Sequence, residues 1–415
     1  MRALAPLLLS LLLHFSVATD TYGPMKIIAI NKAGTLHPIF QQDLQNALKW
    51  FENAIQVEKL KTPITLKQLT GNSVSVEYQG IGEVTVTTPD KTFGFNLQTG
   101  ETDKLLAAAD FVVLITELDR SRNEEAYATM FETEEGERPI AGVMQIKYKV
   151  FAAHSDYSSL YHIFRHEILH AMGYGVLNAG TAPPSEDYEW ENFDGSKVQA
   201  TRNFFRYNNE KIRQAVKDHF ECDEDLVGIE RDESENHLNE YLFGDELMTP
   251  MVSMGENFFS WISAEVVEQL STAGARPFYK VNRTFIAPEA DAYNHFKGTG
   301  CELLLGSCHK YVKTLPITPE PAKTFPFCTT NRKLDNDEMW CFLVNTQFGQ
   351  QLKRYTCESQ NQSEDTADNG VTEPAGSPYH NKVHRFCPIA PIIMNRHFEM
   401  TEFEKCMDLS NRIGG

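Results

Sequence analysis

The sequence predicts a mixed α+β fold, on three observations. Lys26-Ile27-Ile28-Ala29-Ile30 and Phe111-Val112-Val113-Leu114-Ile115 read as strands, the second apolar throughout as at the centre of a sheet. Leu44, Ala47, Leu48, Phe51 and Ile55 recur at helical spacing between positions 41 and 57. A second helical stretch, 161 to 173, carries the polar run His166-Glu167-Ile168-Leu169-His170 inside apolar neighbours.

The remaining elements follow in chain order. Positions 74–78 and 84–88 alternate like a hairpin, with Gly80 and Gly82 between them. Positions 143–150 alternate apolar and polar, which suits a half-exposed edge strand beside a cleft, where an extended peptide pairs with free backbone groups. Ser155, Asp156 and Ser158 offer caps for the helix that follows, and Gly173 offers its stop. A loop region starts at 178–185, and helical spacing resumes over 211–220. The acidic run Glu221, Asp223, Glu224, Asp225, Glu230, Asp232, Glu233 and Glu235 reads as a solvated loop. Positions 264–270 read as a closing helix, and 358–381, rich in Ser, Asn, Asp, Glu, Gly and Pro, as a flexible surface loop.

His166 and His170 lie four residues apart, so on a helix both imidazoles face one way with Glu167 at their flank. Two neutral imidazoles, a third ligand from elsewhere and an open position make a zinc hydrolase site, in which the metal lowers the pKa of a bound water to about 7. Glu167 is then the base that takes its proton. In the short-spaced form of this motif a third His stands three residues after the glycine, where this chain has Val176. Two alternatives stay open on spacing alone. A carboxylate among Glu186, Glu189 and Glu191 completes the site, or a His displaced by an insertion does.

His237 lies 67 residues after His170 and is followed, eleven residues on, by Met248 in a turn-like Met-Thr-Pro setting. A methionine turn beneath the metal is the metzincin mark. On these residues the chain resembles the leishmanolysin family, in which a large insertion separates the third His from the helix. Arg138-Pro139-Ile140-Ala141-Gly142-Val143, Phe220-Glu221-Cys222 with Leu226-Val227-Gly228, and Gly298-Thr299-Gly300-Cys301-Glu302-Leu303 with Cys308 resemble further blocks of that family, in the same order. The resemblance implies that His166, His170 and His237 bind one zinc ion, that Glu167 is the catalytic base, and that Met248 floors the site. It also implies a metzincin-like catalytic domain with a twisted sheet over 19–175. A central domain with the third ligand and Met-turn follows over 176–282, and a cysteine-rich domain over 283–415. Asn236 and Leu238 stand where the family usually has Ser and Trp, and Tyr241 where a basic residue is common. No cysteine precedes Cys222, so latency through a thiolate on the zinc is not expected.

Length and composition bound the rest. Positions 1–18, with Arg2, a short apolar run and small Ser16 and Ala18, read as a secretory signal peptide, too short for a bilayer span of about 20 residues. No other stretch is long and apolar enough to cross a membrane, and the polar C-terminus lacks a lipid-anchor tail. A secreted product is expected. A net charge of -19 excludes nucleic acid as a partner and disfavours adsorption to acidic lipid. Eight cysteines, seven of them from Cys301 onward, read as disulfides rather than a Cys zinc site, and Cys222 is expected to reach the C-terminal group. Asn282-Arg283-Thr284 and Asn361-Gln362-Ser363 are glycosylation acceptors.

The function expected is a secreted zinc metalloendopeptidase acting on proteins and peptides, with Tyr241 as a candidate for stabilising the oxyanion. An adhesive protein on a protease scaffold, meeting extracellular or cell-surface proteins, and a zinc hydrolase with a carboxylate third ligand are the alternatives.

Overall fold

The computed structural model describes residues 22–311, apart from 33–37, 71–81, 99, 120–125, 132–136, 148–159, 178–181, 192–196, 206–207, 233–235, 251–256, 273–275 and 307–310, together with 339–346, 349–356 and 392–393. The stretch 1–18, positions 74–78, Ser155, Asp156, Ser158, the 358–381 segment and Asn361 lie outside the described residues.

Three parallel strands form the middle of a six-stranded sheet: β2 (Ile27–Asn31), β6 (Phe111–Glu117) and β8 (Ala141–Ile146). The strands β4 (Glu83–Thr87) and β5 (Thr92–Asn96) extend it antiparallel on one side, and β7 (Ala126–Met130) on the other, giving the order β5-β4-β2-β6-β8-β7. Alternate residues bury both faces. Ile27, Ala29, Phe111, Val113, Ile115, Met144 and Ile146 join one core with the helices α1 (Pro38–Ala54) and α4 (Tyr161–Ala171). Ile28, Ile30, Val112, Leu114, Ala141 and Val143 join another with Leu69 of α2 (Leu66–Thr70) and Leu106 of α3 (Glu101–Leu106). Burial on both faces is why the 111–115 run carries no polar residue.

Several sequence expectations shift here. The helix expected over 41–57 ends at Ala54, and Ile55 opens β3 (Ile55–Glu58), which sits between β1 (Tyr22–Pro24) and β11 (Tyr279–Val281) in a small antiparallel sheet. The strand expected over 143–150 is β8, and it is interior: β6 pairs with one side and β7 with the other, so β7 is the edge. Gln145 and Lys147 supplied the misleading polar alternation, yet Lys147 is itself buried. The strand at 84–88 pairs with β5, across a turn closed by Thr88 N–H donating to Lys91 O at 2.9 Å. The region after 185 holds a hairpin of β9 (Glu186–Glu191) and β10 (Lys197–Arg202).

The chain continues through α5 (Glu210–Phe220), capped by the Asn209 side chain, then α6 (Glu240–Phe243) and α7 (Trp261–Val267), whose cap is Ser260. Asn282 caps α8 (Arg283–Ala292): its Oδ1 accepts from Phe285 N–H, and its Nδ2 donates to Asn53 O. Cys301 opens α9 (Cys301–Leu304) and forms a disulfide with Cys222, which bears out the expected long reach. Beyond it, β12 (Met339–Thr346), β13 (Gly349–Thr356) and β14 (Ile392–Ile393) form an antiparallel sheet.

The helix α4 lies against the sheet at Gly142. A Cβ there would stand 2.7 Å from Ala171 Cβ and 2.8 Å from Thr129 O, both closer than a carbon tolerates. Gly142→Ala is therefore expected to cost about 1–3 kcal/mol through overpacking. It should appear as a lower urea midpoint at unchanged slope, and an unchanged midpoint would show that the helix has room to yield.

Candidate metal centre

The helix α4 begins without a side-chain cap. Leu160 occupies the cap position in place of the serines and Asp156, and its backbone N–H donates to Asp43 Oδ2 of α1 at 2.7 Å. The end is as the sequence indicates. Gly173 takes φ 108°, Gly173 N–H returns to His170 O at 2.9 Å and Tyr174 N–H to Leu169 O at 3.0 Å, the double bond pattern of a left-handed helix stop. This stop has a chemical product. It turns the Tyr174 carbonyl back onto the helix, where it accepts from His170 Nδ1 at 3.0 Å.

His166 is held in the same manner by the distant turn around Met248. Its Nδ1 lies 2.7 Å from Leu247 O, and the next carbonyl, of Met248, accepts from Leu238 N–H at 3.0 Å. One short turn therefore orients a helix imidazole and anchors the residue that follows His237. Glu246 secures this turn from inside the core: Met248 N–H donates to its Oε2, and Ser260 Oγ–H to its Oε1 at 2.8 Å. Burial still pushes the Glu246 carboxyl up to about 6.

His237 enters from the 230–238 reversal. Arg231 bridges to Leu238, Asn239 N–H donates to Glu230 O at 3.1 Å, and His237 Nδ1 lies 3.3 Å from Asp232 Oδ2. The three rings converge through Nε2. His170 is 3.0 Å from both His166 and His237, and His166 is 3.2 Å from His237. Each Nδ1 faces an oxygen that only accepts, so each neutral ring carries its proton on Nδ1 and presents a bare lone pair at Nε2. Three lone pairs at this separation repel one another unless a cation lies among them. Tetrahedral zinc at its usual imidazole distance sets neighbouring nitrogens about 3.3–3.4 Å apart, close to what is found. Among the described residues these three imidazoles form the group competent to hold a metal. The alternative carboxylates Glu186, Glu189 and Glu191 are on β9 and are not part of it.

The electrostatics agree with this donor set. Burial, then repulsion from His237, lowers His166 to about 3, and burial lowers His170 well below the ordinary histidine value, so both rings stay neutral. Burial alone raises Glu167 to about 8, and its Oε2 has no hydrogen-bond partner among the described residues. A buried carboxyl of this kind ionises readily only beside positive charge, which a metal dication among the imidazoles would supply.

Arg165 fixes the helix from behind. Its Nη1 donates to Glu289 Oε1 of α8 at 2.6 Å, its Nη2 to Asn257 O at 2.8 Å, and its guanidinium covers the rings of Trp50 and Tyr161. Glu289 Oε2 accepts from Trp50 Nε1 of α1 at 3.0 Å, which ties α1, α4 and α8 together. Tyr241 is wholly buried with its ring against Phe296, a packing position that keeps it from a bound peptide. Sequence reasoning missed Leu247, Tyr174, Glu246 and Asp232 as partners of the site. The first two act through backbone carbonyls, which carry no side-chain signal, and Asp232 was hidden in an acidic run.

A helix pair of imidazoles, a third from a distant part of the chain and an adjacent buried carboxyl, set beside a mixed sheet, form a donor set that suits a tetrahedral metal ion. The chain belongs to the leishmanolysin family, whose sequence profile matches residues 39–343. That family is one of zinc-dependent metallopeptidases. Two curated relatives, each described as leishmanolysin-like peptidase, come from Caenorhabditis elegans and Caenorhabditis briggsae. They are 24% identical over 363 residues and 23% identical over 357 residues, and each match covers 69% of this chain. The chain spans about half the length of these relatives, 51% in both cases.

Proposed function

We propose that the chain is a secreted, zinc-dependent metalloendopeptidase that hydrolyses peptide bonds within proteins. The observation that carries this reading is the convergence of the Nε2 atoms of His166, His170 and His237, with Glu167 next to His166 in sequence. These three residues would hold zinc. Zinc, when bound, supplies a Lewis acid for a scissile carbonyl and acidifies water. Glu167 takes the proton of the attacking water on its carboxylate and delivers it to the departing amine. Met248, wholly buried in the turn that holds His166, gives the site an apolar floor.

An extended substrate has a docking line in β7. It is the sheet edge, lies beside β8 and packs on α4, and its outer residue Tyr127 is exposed. Backbone pairing there tolerates many sequences, as an endopeptidase requires. The Cys222–Cys301 disulfide supports an oxidising, extracellular setting, and no helix of the described residues is long and apolar enough to cross a membrane. Asn282 and Asn361 are proposed glycan acceptors in that setting.

The test is metal analysis joined to proteolysis. Wild-type protein is expected to retain zinc through gel filtration and to cleave casein until a chelator is added. His237→Ala is expected to lose both the metal and the activity. Unchanged zinc content in that variant would remove His237 from the ligand set and return the third position to a carboxylate.

A further inference from the structure

We propose that Asp232 is a positioning residue for the third metal ligand, fixing the ring of His237 and strengthening its Nε2 as a donor. The proposal rests on the zinc site argued above and deepens it.

The three imidazoles are not held alike. His166 and His170 ride on α4, and their Nδ1 protons go to the neutral carbonyls of Leu247 and Tyr174. His237 has no helix to orient it. Its Nδ1 faces a carboxylate oxygen, Asp232 Oδ2, at 3.3 Å. The two residues also grip each other through the main chain: Asp232 N–H donates to His237 O at 3.1 Å, and His237 N–H lies 3.4 Å from Asp232 Oδ1. One side chain thus meets both the backbone and the ring of the ligand. Arg231, just before it, spends its guanidinium on the carbonyls of Phe204 and Asp232, which pins the reversal to the chain near β10.

Two consequences follow from chemistry. A carboxylate on Nδ1–H fixes the tautomer with Nε2 unprotonated, and it pushes electron density through the ring towards the metal, which a carbonyl does less strongly. The effect belongs at the ligand that comes from a loop, because that ligand has the most orientational freedom to lose.

The experiment measures zinc affinity by competition with a chromophoric chelator, alongside the visible spectrum of the cobalt-substituted protein and the melting temperature of the metal-free form. Asp232→Ala is expected to weaken zinc binding by roughly 10- to 100-fold and to alter the cobalt spectrum. Asp232→Asn, which keeps an accepting oxygen but loses the charge, should weaken it by less than Asp232→Ala, with little change in metal-free melting. Asp232→Asn also carries the test if the alanine variant fails to fold. Zinc affinity within about twofold of wild type in both variants, with only metal-free melting lowered, would overturn the proposal by making Asp232 a plain loop residue. Undiminished zinc binding in His237→Ala would instead sink the underlying site.

Discussion

Glu167→Gln is expected to lower the turnover of a denatured protein substrate by roughly 10²- to 10⁴-fold while zinc content stays at the wild-type level. Glutamine keeps the size and hydrogen-bonding reach of the side chain but cannot carry a proton from water to amine. The same substitution should leave the metal-free protein as stable as wild type, or more stable, near neutral pH. Burial raises the Glu167 carboxyl from the ordinary 4.5 to about 8, so the folded chain holds a proton that the unfolded chain releases near 4.5. Between those values the unfolded state binds fewer protons, and stability falls as pH rises. Metal-free wild type should therefore lose stability relative to Glu167→Gln across that window, measured as melting temperature at each pH. A variant that cleaves casein at the wild-type rate would end the catalytic assignment whatever its stability did.

The second large effect concerns the Cys222–Cys301 bridge, which spans 79 residues and encloses His237, Met248 and the α6 to α8 helices. Closing a loop of that length removes chain entropy from the unfolded state worth about 4.5 kcal/mol in the loop-entropy model. Cys222→Ser with Cys301→Ser should therefore lower stability by roughly 2–5 kcal/mol, read as a shifted denaturant midpoint. Phe220 and Cys222 are both buried, so the bridge also pins the end of α5 to the core. Because the enclosed segment delivers the third imidazole, the double variant should also bind zinc less tightly. A midpoint equal to wild type would mean that packing alone holds the segment in place.

The helix pair His166 and His170 with Glu167 beside them was legible in the sequence, because side chains four residues apart on a helix leave a direct trace; His237, 67 residues on, was indicated only by the family resemblance, since spacing alone left a carboxylate open. The core strands were equally plain at 26–30 and 111–115, within a residue or two of β2 and β6, where burial on both faces favours an apolar run. Position in the sheet was not. Gln145 and Lys147 made β8 look like an edge, although β7 covers it. Neighbours across a sheet depend on which strands meet, and no local pattern records that. The hairpin of β9 and β10 was missed for a similar reason, since its charged residues, Glu186, Asp187, Glu189, Glu191 and Lys197, read as loop when no partner strand is in view. The support of the metal centre was the least legible part. Leu247 and Tyr174 contribute carbonyl oxygens, which any residue could offer, and only the folded turn shows which ones are aimed.

The separation of 67 residues between His170 and His237 also sets a schedule during synthesis. At about 5–20 residues per second, the helix pair leaves the ribosome roughly 3–13 s before its third partner is made. Until then a nascent chain has only two of the three imidazoles of this group, and the Leu247 carbonyl that steers one of them does not yet exist. The set of three imidazoles is therefore complete only after the intervening stretch has been translated and docked, and a truncated product ending before residue 237 would lack the third of them.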